Sequence, residues 1–322
     1  MKISIVALAL SLPACLAAAA EPEYPNRPIR LIVAQAAGSG PDILARLIGQ
    51  KLTESWGQQV IVENRPGANG IIGMEAAARS KPDGYTILIA VPSALTMNPY
   101  VYKSLPYDTL RDFAPITQTA TNTFGLFVNN ALPAKSVKEL VALARSRPKE
   151  LPYGSYGVGN QTHLAAELFA SEAKLKLLHV PYKGQTPAVS ELLSGQVALL
   201  FSAMPGTAPY VETGRLRLLA TCGEKRDAVF ANVPTMVEAG YPSVIITGWT
   251  GLLGPAGMPR EAVARIQAEV RKHLLAPGLK ESLTKQGSAP VASTPEQFAA
   301  FIKAEAEKWS RVIRQAGLEK TQ

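Results

Sequence analysis

The chain of 322 residues holds two cysteines and three histidines, and these shortages exclude whole classes of chemistry. Cys15 lies in the apolar N-terminal stretch and Cys222 stands alone beyond it, so the body of the chain can form no internal disulfide and its core must hold by packing. His163, His179 and His273 have no second His or Cys at ligand spacing, which argues against a zinc site. Runs of Lys and Arg are missing as well. The formal charge is +8, but basic residues interleave with acidic ones, as in Lys138-Glu139 and Glu305 to Lys308. That distribution suits a mild attraction for small anions and lacks the concentrated footprint of a nucleic-acid binder. Enzyme fingerprints are absent too. Gly38-Ser39-Gly40 and Gly157-Val158-Gly159 both lack the third glycine of a dinucleotide loop, no phosphate-binding GxxxxGK[ST] occurs, and Ser155 lies in GSYG rather than GxSxG. No internal repeat or low-complexity tract appears beyond the first twenty residues.

Those twenty residues read as an export signal. Lys2 precedes the apolar Ile3 to Leu12, and Ala18-Ala19-Ala20 offers small residues for cleavage ahead of Glu21. Pro13 and the alanine tail argue against a membrane anchor, and Pro13 also fits poorly with lipid attachment at Cys15, the minor alternative. The remaining chain of about 300 residues exceeds what one core usually supports, so two domains are expected.

Apolar runs alternate with amphipathic stretches, the pattern of α/β layers with largely parallel strands. Leu31 to Gln50, LIVAQAAGSGPDILARLIGQ, reads as a buried strand, a loop nearly without side chains, and a helix opened by Asp42. Backbone N–H groups left bare at a helix N-terminus form a seat for an anion. Strands follow at Gln59 to Glu63 and Tyr85 to Ala90, with a helix over Ile71 to Arg79 between them. A second series begins after Asp112, with a strand at Phe124 to Val128 and a helix at Ser136 to Arg145 carrying the capping box Ser136-x-x-Glu139. Val244 to Leu253, a helix from Pro259 to about Leu275, and a helix started by Thr294-Pro295-Glu296-Gln297 end the chain. These helices have no strands of their own, so they are expected to return to the first series. The chain would then cross twice between a first domain, 21–122 with 245–322, and a second, 123–244, and two crossings make a hinge.

The second domain repeats the logic of the first loop in Tyr153 to His163, YGSYGVGNQTH: a strand, glycines, hydroxyls and a helix start. Two such loops could close on one ligand from opposite sides. His163 could also serve Ser155 as a base, which keeps a secreted hydrolase as a weaker alternative.

The succession YPNRPIRLIV, AAGSGPD, GQQVIVENRPGANG, PDGYT, MNPYVY, YGSYGVGNQTHLAAELF, HVPYKG, VPTMVEAGY and WTGLLGPAG resembles the substrate-binding receptors of tripartite tricarboxylate transporters, the Bug family, from Tyr24 to about Gly317. The resemblance implies a two-domain periplasmic-binding-protein clamshell of type II-like α/β fold, with mainly parallel sheets and two interdomain crossings. It implies a non-enzymatic receptor in the periplasm, without cofactor, that hands a small organic carboxylate to integral-membrane permease subunits; a sensory adaptor is the alternative, and a monomer is the default expectation. The family's ligand loops map onto Gln35, Ala36, Ala37, Gly38, Ser39 and Gly40, and onto Ser155, Tyr156, Gly157 and Thr162. Gln35 stands where an aromatic is common. Ser202 stands where amino-acid-binding members carry an Asp to pair with the ligand ammonium. A serine cannot neutralise a buried ammonium, whose isolation costs several kcal/mol, so the expected ligand lacks an α-amino group. Trp249, next to the second crossing, is a candidate closure sensor. Asp42 is expected to cap the helix rather than touch an anion, and Arg46, Arg65 and Lys183 to brace surfaces.

Overall fold

The computed structural model describes residues 24–148 and 150–322; the expected export signal over residues 1–20, with Cys15, lies outside them. The first series follows the apolar pattern: β1 (Ile29–Val33), α1 (Gly40–Trp56), β2 (Val60–Asn64), α2 (Ile71–Ala78) and β3 (Thr86–Ala90). After β3 an irregular helical segment, Ser93–Met97, runs into α3 (Asn98–Val101). Neither was expected, because Pro92 and Pro99 interrupt any helical period there.

A 17-residue strand, β4 (Phe113–Asn129), then traverses the sheet. The second series comprises α4 (Val137–Ser146), β5 (Pro152–Ser155), α5 (Gln161–Glu172), β6 (Leu178–Pro181), α6 (Gln185–Ser194), β7 (Leu199–Ala203), α7 (Ala208–Glu212) and β8 (Leu216–Thr221). The return strand β9 (Thr247–Pro255) leads to α8 (Arg260–Leu275), α9 (Pro277–Lys285), β10 (Ser288–Pro290) and α10 (Pro295–Gln315). The Thr294 hydroxyl accepts the Gln297 N–H while the Gln297 side chain accepts the Thr294 N–H, so the predicted start of α10 is a complete capping box. At α4 only half of the box forms, because the Glu139 carboxylate takes the Lys135 N–H instead.

The strand order is β2-β1-β3-β9-β4-β7-β5-β6, with β8 and β10 also pairing with β4. The expected predominance of parallel strands is corrected here. Four pairings are parallel and five antiparallel, because every antiparallel pairing involves β4 or β9. These two strands carry the chain out and back, so they oppose each other from Phe113↔Pro255 to Thr123↔Thr247. Parallel pairing survives only inside the strand-helix-strand units, where a helix supplies the crossover. The middle of β4, Thr117 to Thr123, is small and polar and therefore reads poorly as a buried strand. Its two fully buried hydroxyls bond to segments distant in sequence: Thr119 donates to Thr250 O at 3.0 Å and Thr117 to Ser293 O at 2.8 Å.

Helices cover both faces of β1 and β3, as the run of buried apolar residues requires. On one face Leu31 and Ile87 pack with Leu44, Ile48 and Leu52 of α1 and with Ile266 and Val270 of α8. On the other, Ile32 and Leu88 pack with Met74 of α2 and with Phe298 and Ile302 of α10. The trailing helices do return to the first series. Each such fully buried aliphatic or aromatic side chain contributes about 1.5–3 kcal/mol, and the buried Cys222 adds no crosslink. Beyond β4, Leu126, Val128, Tyr153, Phe169 and Phe201 form a second core.

Candidate functional site

Where β4 and β9 pass between the two halves of the sheet, a cavity of about 470 Å³, its open mouth included, draws its walls from both. The first half supplies Gln35, Ser39 and Pro41 at the start of α1, and Val91, Pro92 and Ser93 after β3. The second supplies Tyr156, Asn160, Gln161, Gln185 and Ala203, and the crossing strands lay the floor with Asn122, Phe124, Gly248, Trp249 and Thr250. No Asp, Glu, Lys, Arg or His is among these residues. Polarity comes instead from neutral amides and hydroxyls and from the N-terminal ends of α1 and α5, where partial positive charge gathers. The hydroxyls of Ser39 and Ser93, buried to within 2 % of full enclosure, have no hydrogen-bond partner. Groups of that kind usually have one, and both line the cavity.

The first loop is less bare than its sequence suggests. Gly38 N–H donates to Asp42 Oδ2 at 2.8 Å, Ser39 N–H to Ala36 O at 3.2 Å, and Gly40 N–H to Gln185 Oε1 at 3.0 Å. Among the described residues, the amides of Ala36 and Ala37 donate no hydrogen bond. Ser39, not Asp42, occupies the N-cap of α1; Asp42 reaches back from the first turn to hold the loop and also takes Asn64 Nδ2 at 2.9 Å and Arg46 Nε at 3.1 Å. Burial opposes its ionisation, but these donors outweigh burial and hold its carboxyl below the ordinary range. Arg46 and Arg65 lie outside the cavity in ion pairs with Asp42 and Glu63, and Lys183 is exposed.

Of the second loop's expected contacts, only Tyr156 reaches the cavity wall. Ser155 and Thr162 stand behind it, and Gly157 lies off the cavity wall at the contact with Asn69 of the opposite half. Thr162 Oγ1 accepts Tyr156 N–H at 2.8 Å and Ser155 Oγ accepts Gly157 N–H at 3.2 Å, so both hydroxyls shape the loop from within. Ser155 is fully buried and pairs with His179 Nε2 at 2.7 Å, so the pairing with His163 that the hydrolase alternative requires is not formed. Ser202 is also set back. Its hydroxyl lies 2.5 Å from Tyr156 Oη and 2.7 Å from Thr207 Oγ1, and Gln185 Nε2 donates to Thr207 Oγ1 at 3.1 Å. A neutral hydrogen-bonded chain thus runs from Tyr156 to Gln185 along the second half's wall.

The two halves touch directly across the cleft. Besides Gly40 with Gln185, Thr186 Oγ1 donates to Ala37 O at 2.8 Å, and Asn69 Nδ2 to Val158 O at 2.6 Å. Gly157, at φ 137°, faces Asn69 so closely that a Cβ would stand 2.3 Å from Asn69 Oδ1. Trp249 is a core residue as well as part of the floor: its Nε1 donates to Glu305 Oε2 at 3.1 Å, and its ring meets Phe298 edge-on.

Sequence reasoning missed Ser93, Asn122, Gln161 and Gln185. Ser93 had a usable signal, since it follows a parallel strand's carboxyl end, where α/β sheets place ligands. Gln185 had none, because its partners come from α1 and from the loop after β7.

Known proteins agree with this architecture. The profile described as "Tripartite tricarboxylate transporter family receptor" matches residues 44–318. Protein BugT of Bordetella pertussis is 36% identical over 295 residues, 91% of this chain and 90% of its own. A Rhodopseudomonas palustris protein solved with adipate superposes with a TM-score of 0.89 at 34% identity, over 92% of this chain and 99% of that one. MatC from Rhodopseudomonas palustris, solved with bound malate, gives 0.84 at 27%, over 90% of this chain and 100% of that one. A profile match across most of the chain, on a fold that encloses a cavity between the halves of its sheet, settles the assignment: this chain belongs to the tripartite tricarboxylate transporter receptor family, the periplasmic solute-binding receptors of Bug type.

Proposed function

We propose that this receptor captures a small organic carboxylate lacking an α-amino group and delivers it, as a monomer, to membrane permease subunits. The observation that carries the reading is the cavity's neutral donor set between the two halves of the sheet. The bound adipate and malate of two structural neighbours support the carboxylate class. An anion can be held there without a formal countercharge, because a hydrogen bond to a charged group contributes about 1.5–3 kcal/mol, and a micromolar complex requires about 8 kcal/mol net. An ammonium would find neutral hydroxyls at Tyr156 and Ser202, and no carboxylate lines the wall. We read 21–122 with 245–322, and 123–244, as the two closing domains. Contacts at Gln185, Thr186 and Asn69 support that reading, since their partners lie in the opposite domain. Gln35, Ser39 and Tyr156 line the cavity, which supports reading them as ligand contacts, with Ala36 and Ala37 adding backbone donors.

Calorimetry with adipate, malate, benzoate, aspartate and glutamate tests the class. One-to-one binding confined to the amino-free acids is expected. Binding of aspartate or glutamate at equal affinity would sink the amino-free reading, and silence across all five acids would count against the cavity as a carboxylate site.

A further inference from the structure

Behind the second cleft loop, three rings stack. His179 lies against both Tyr153 and His163, with centroids 4.8 and 4.1 Å away and planes within 15°. The hydrogen bonds of the two imidazoles run into the loop. Gly159 N–H donates to His163 Nδ1 at 3.1 Å, and His179 Nε2 meets the Ser155 hydroxyl that accepts Gly157 N–H. The residues between and just after these anchors bear on the cleft: Val158 O receives Asn69 from the opposite side, and Asn160 and Gln161 line the cavity. A backbone N–H has one proton to give, so the acceptor at Gly159 exists only while Nδ1 of His163 carries none.

We propose that His163 is a positioning residue of the ligand cleft, whose unprotonated Nδ1 pins Gly159 and whose protonation frees the loop. Protonated, Nδ1 would point a second donor at the Gly159 N–H, and the positive ring would face His179 at stacking distance. Burial of the rings, joined at His179 by the neighbouring His163, opposes charge and holds both imidazoles down to about 4. The groups facing them are few. Glu167, one turn along α5, has Oε1 3.8 Å from His163 Nε2 and also accepts the Tyr153 hydroxyl. From the end of α10, Val312 and Gln315, with Ala316 just beyond it, border the groove beside His163, and none titrates. Glu167 is the one carboxylate there that favours a charged ring, and burial outweighs it. The loop is therefore locked at neutral pH and loosens as pH falls toward 4.

The consequence for capture rests on the proposed ligand site, but the loop itself can be tested without ligand. Long-range proton–nitrogen NMR of the uniformly labelled chain reads the imidazole tautomers, and backbone spectra follow Gly159. His163 should carry its proton on Nε2 at pH 7, and the Gly159 amide should shift with the midpoint of the His163 titration. His163→Asn keeps an acceptor where Nδ1 stood and cannot titrate, so Gly159 should stay locked down to pH 4. A proton on Nδ1 at pH 7, a Gly159 amide unmoved through the His163 titration, or the same titration in His163→Asn would each overturn the proposal. Because the tautomer is read on the unmodified chain, a variant that fails to fold leaves the test intact. With adipate as probe at pH 7, His163→Asn should bind within about twofold of the parent, and His163→Leu at least tenfold more weakly. If the parent binds none of the five acids, the carboxylate reading fails, and the NMR result still decides the role of His163.

Discussion

Gly157→Ala separates the cost of backbone strain from the cost of closing the cleft. Gly157 sits at φ 137°, where an L side chain is strained by roughly 1–2 kcal/mol, and this cost falls on open and closed forms alike. A second cost arises only when the halves meet. The new Cβ would lie 2.3 Å from Asn69 Oδ1, so Asn69 must move and give up its 2.6 Å bond to Val158 O. A lost hydrogen bond costs about 1 kcal/mol and local overpacking about 1–3 kcal/mol, so the closed form loses roughly 2–4 kcal/mol. At 1.4 kcal/mol per decade that is on the order of 10²-fold in affinity. Calorimetry against the best-bound carboxylate, with thermal melts alongside, measures both effects. Asn69→Gly removes the obstructing side chain and tolerates the φ of 52° at that position; alone it should cost about 1 kcal/mol of binding. In the double variant the overlap has no partner, so affinity should recover to near that of Asn69→Gly while the lowered melting temperature persists. Strict additivity of the two affinity losses would refute the argument, because it would mean that the two residues do not meet in the ligand-bound form.

Gln185→Ala removes the acceptor of Gly40 N–H and the donor to Pro205 O and Thr207 Oγ1; with buried groups orphaned at about 1–3 kcal/mol each, affinity should drop about tenfold or more and the melting temperature should fall. An affinity equal to the parent's would show that the bond to Gly40 plays no part in closure. Asp42→Asn weakens the brace on Gly38 and Arg46. Since the Asp42 carboxyl is held below its ordinary range, its stabilising contribution is complete above about pH 4 and is lost as pH falls through the depressed value. Denaturant melts at pH 7 and pH 3 should therefore differ less in Asp42→Asn than in the parent, and an unchanged difference would contradict the assignment.

Local readings succeeded where a local cause acts. The capping box at Thr294 and Gln297, the buried strand at Leu31 to Val33 and the helix after Asp42 all follow from patterns within a few residues. The unexpected segment at Ser93 to Val101 and the continuity of β4 through Thr117 to Thr123 do not, because neither has a period to read. Among site residues, Gln35, Ser39 and Tyr156 lie on the cavity wall. Ser155, Thr162 and Ser202 lie one layer behind it, where they shape the loops that carry the wall, and Gly157 meets Asn69 across the cleft. Spacing cannot distinguish a hydroxyl facing a ligand from one facing its own loop, since both occur beside glycines at a helix start.

By itself the sequence determined the alternation of strands and helices within each series, the two glycine-rich loops, the family, and the return of the trailing helices to the first series. Each depends on hydrophobic period, on capping chemistry or on an ordered run of motifs. Only the tertiary structure decided how the loop amides are used. Gly40 is satisfied by Gln185, 145 residues away, Gly38 by Asp42, and the unpartnered hydroxyls are those of Ser39 and Ser93, brought together by two different strand ends. A hydrogen bond is a statement about distance in space, and in a sheet crossed twice by one chain, distance along the sequence no longer predicts it.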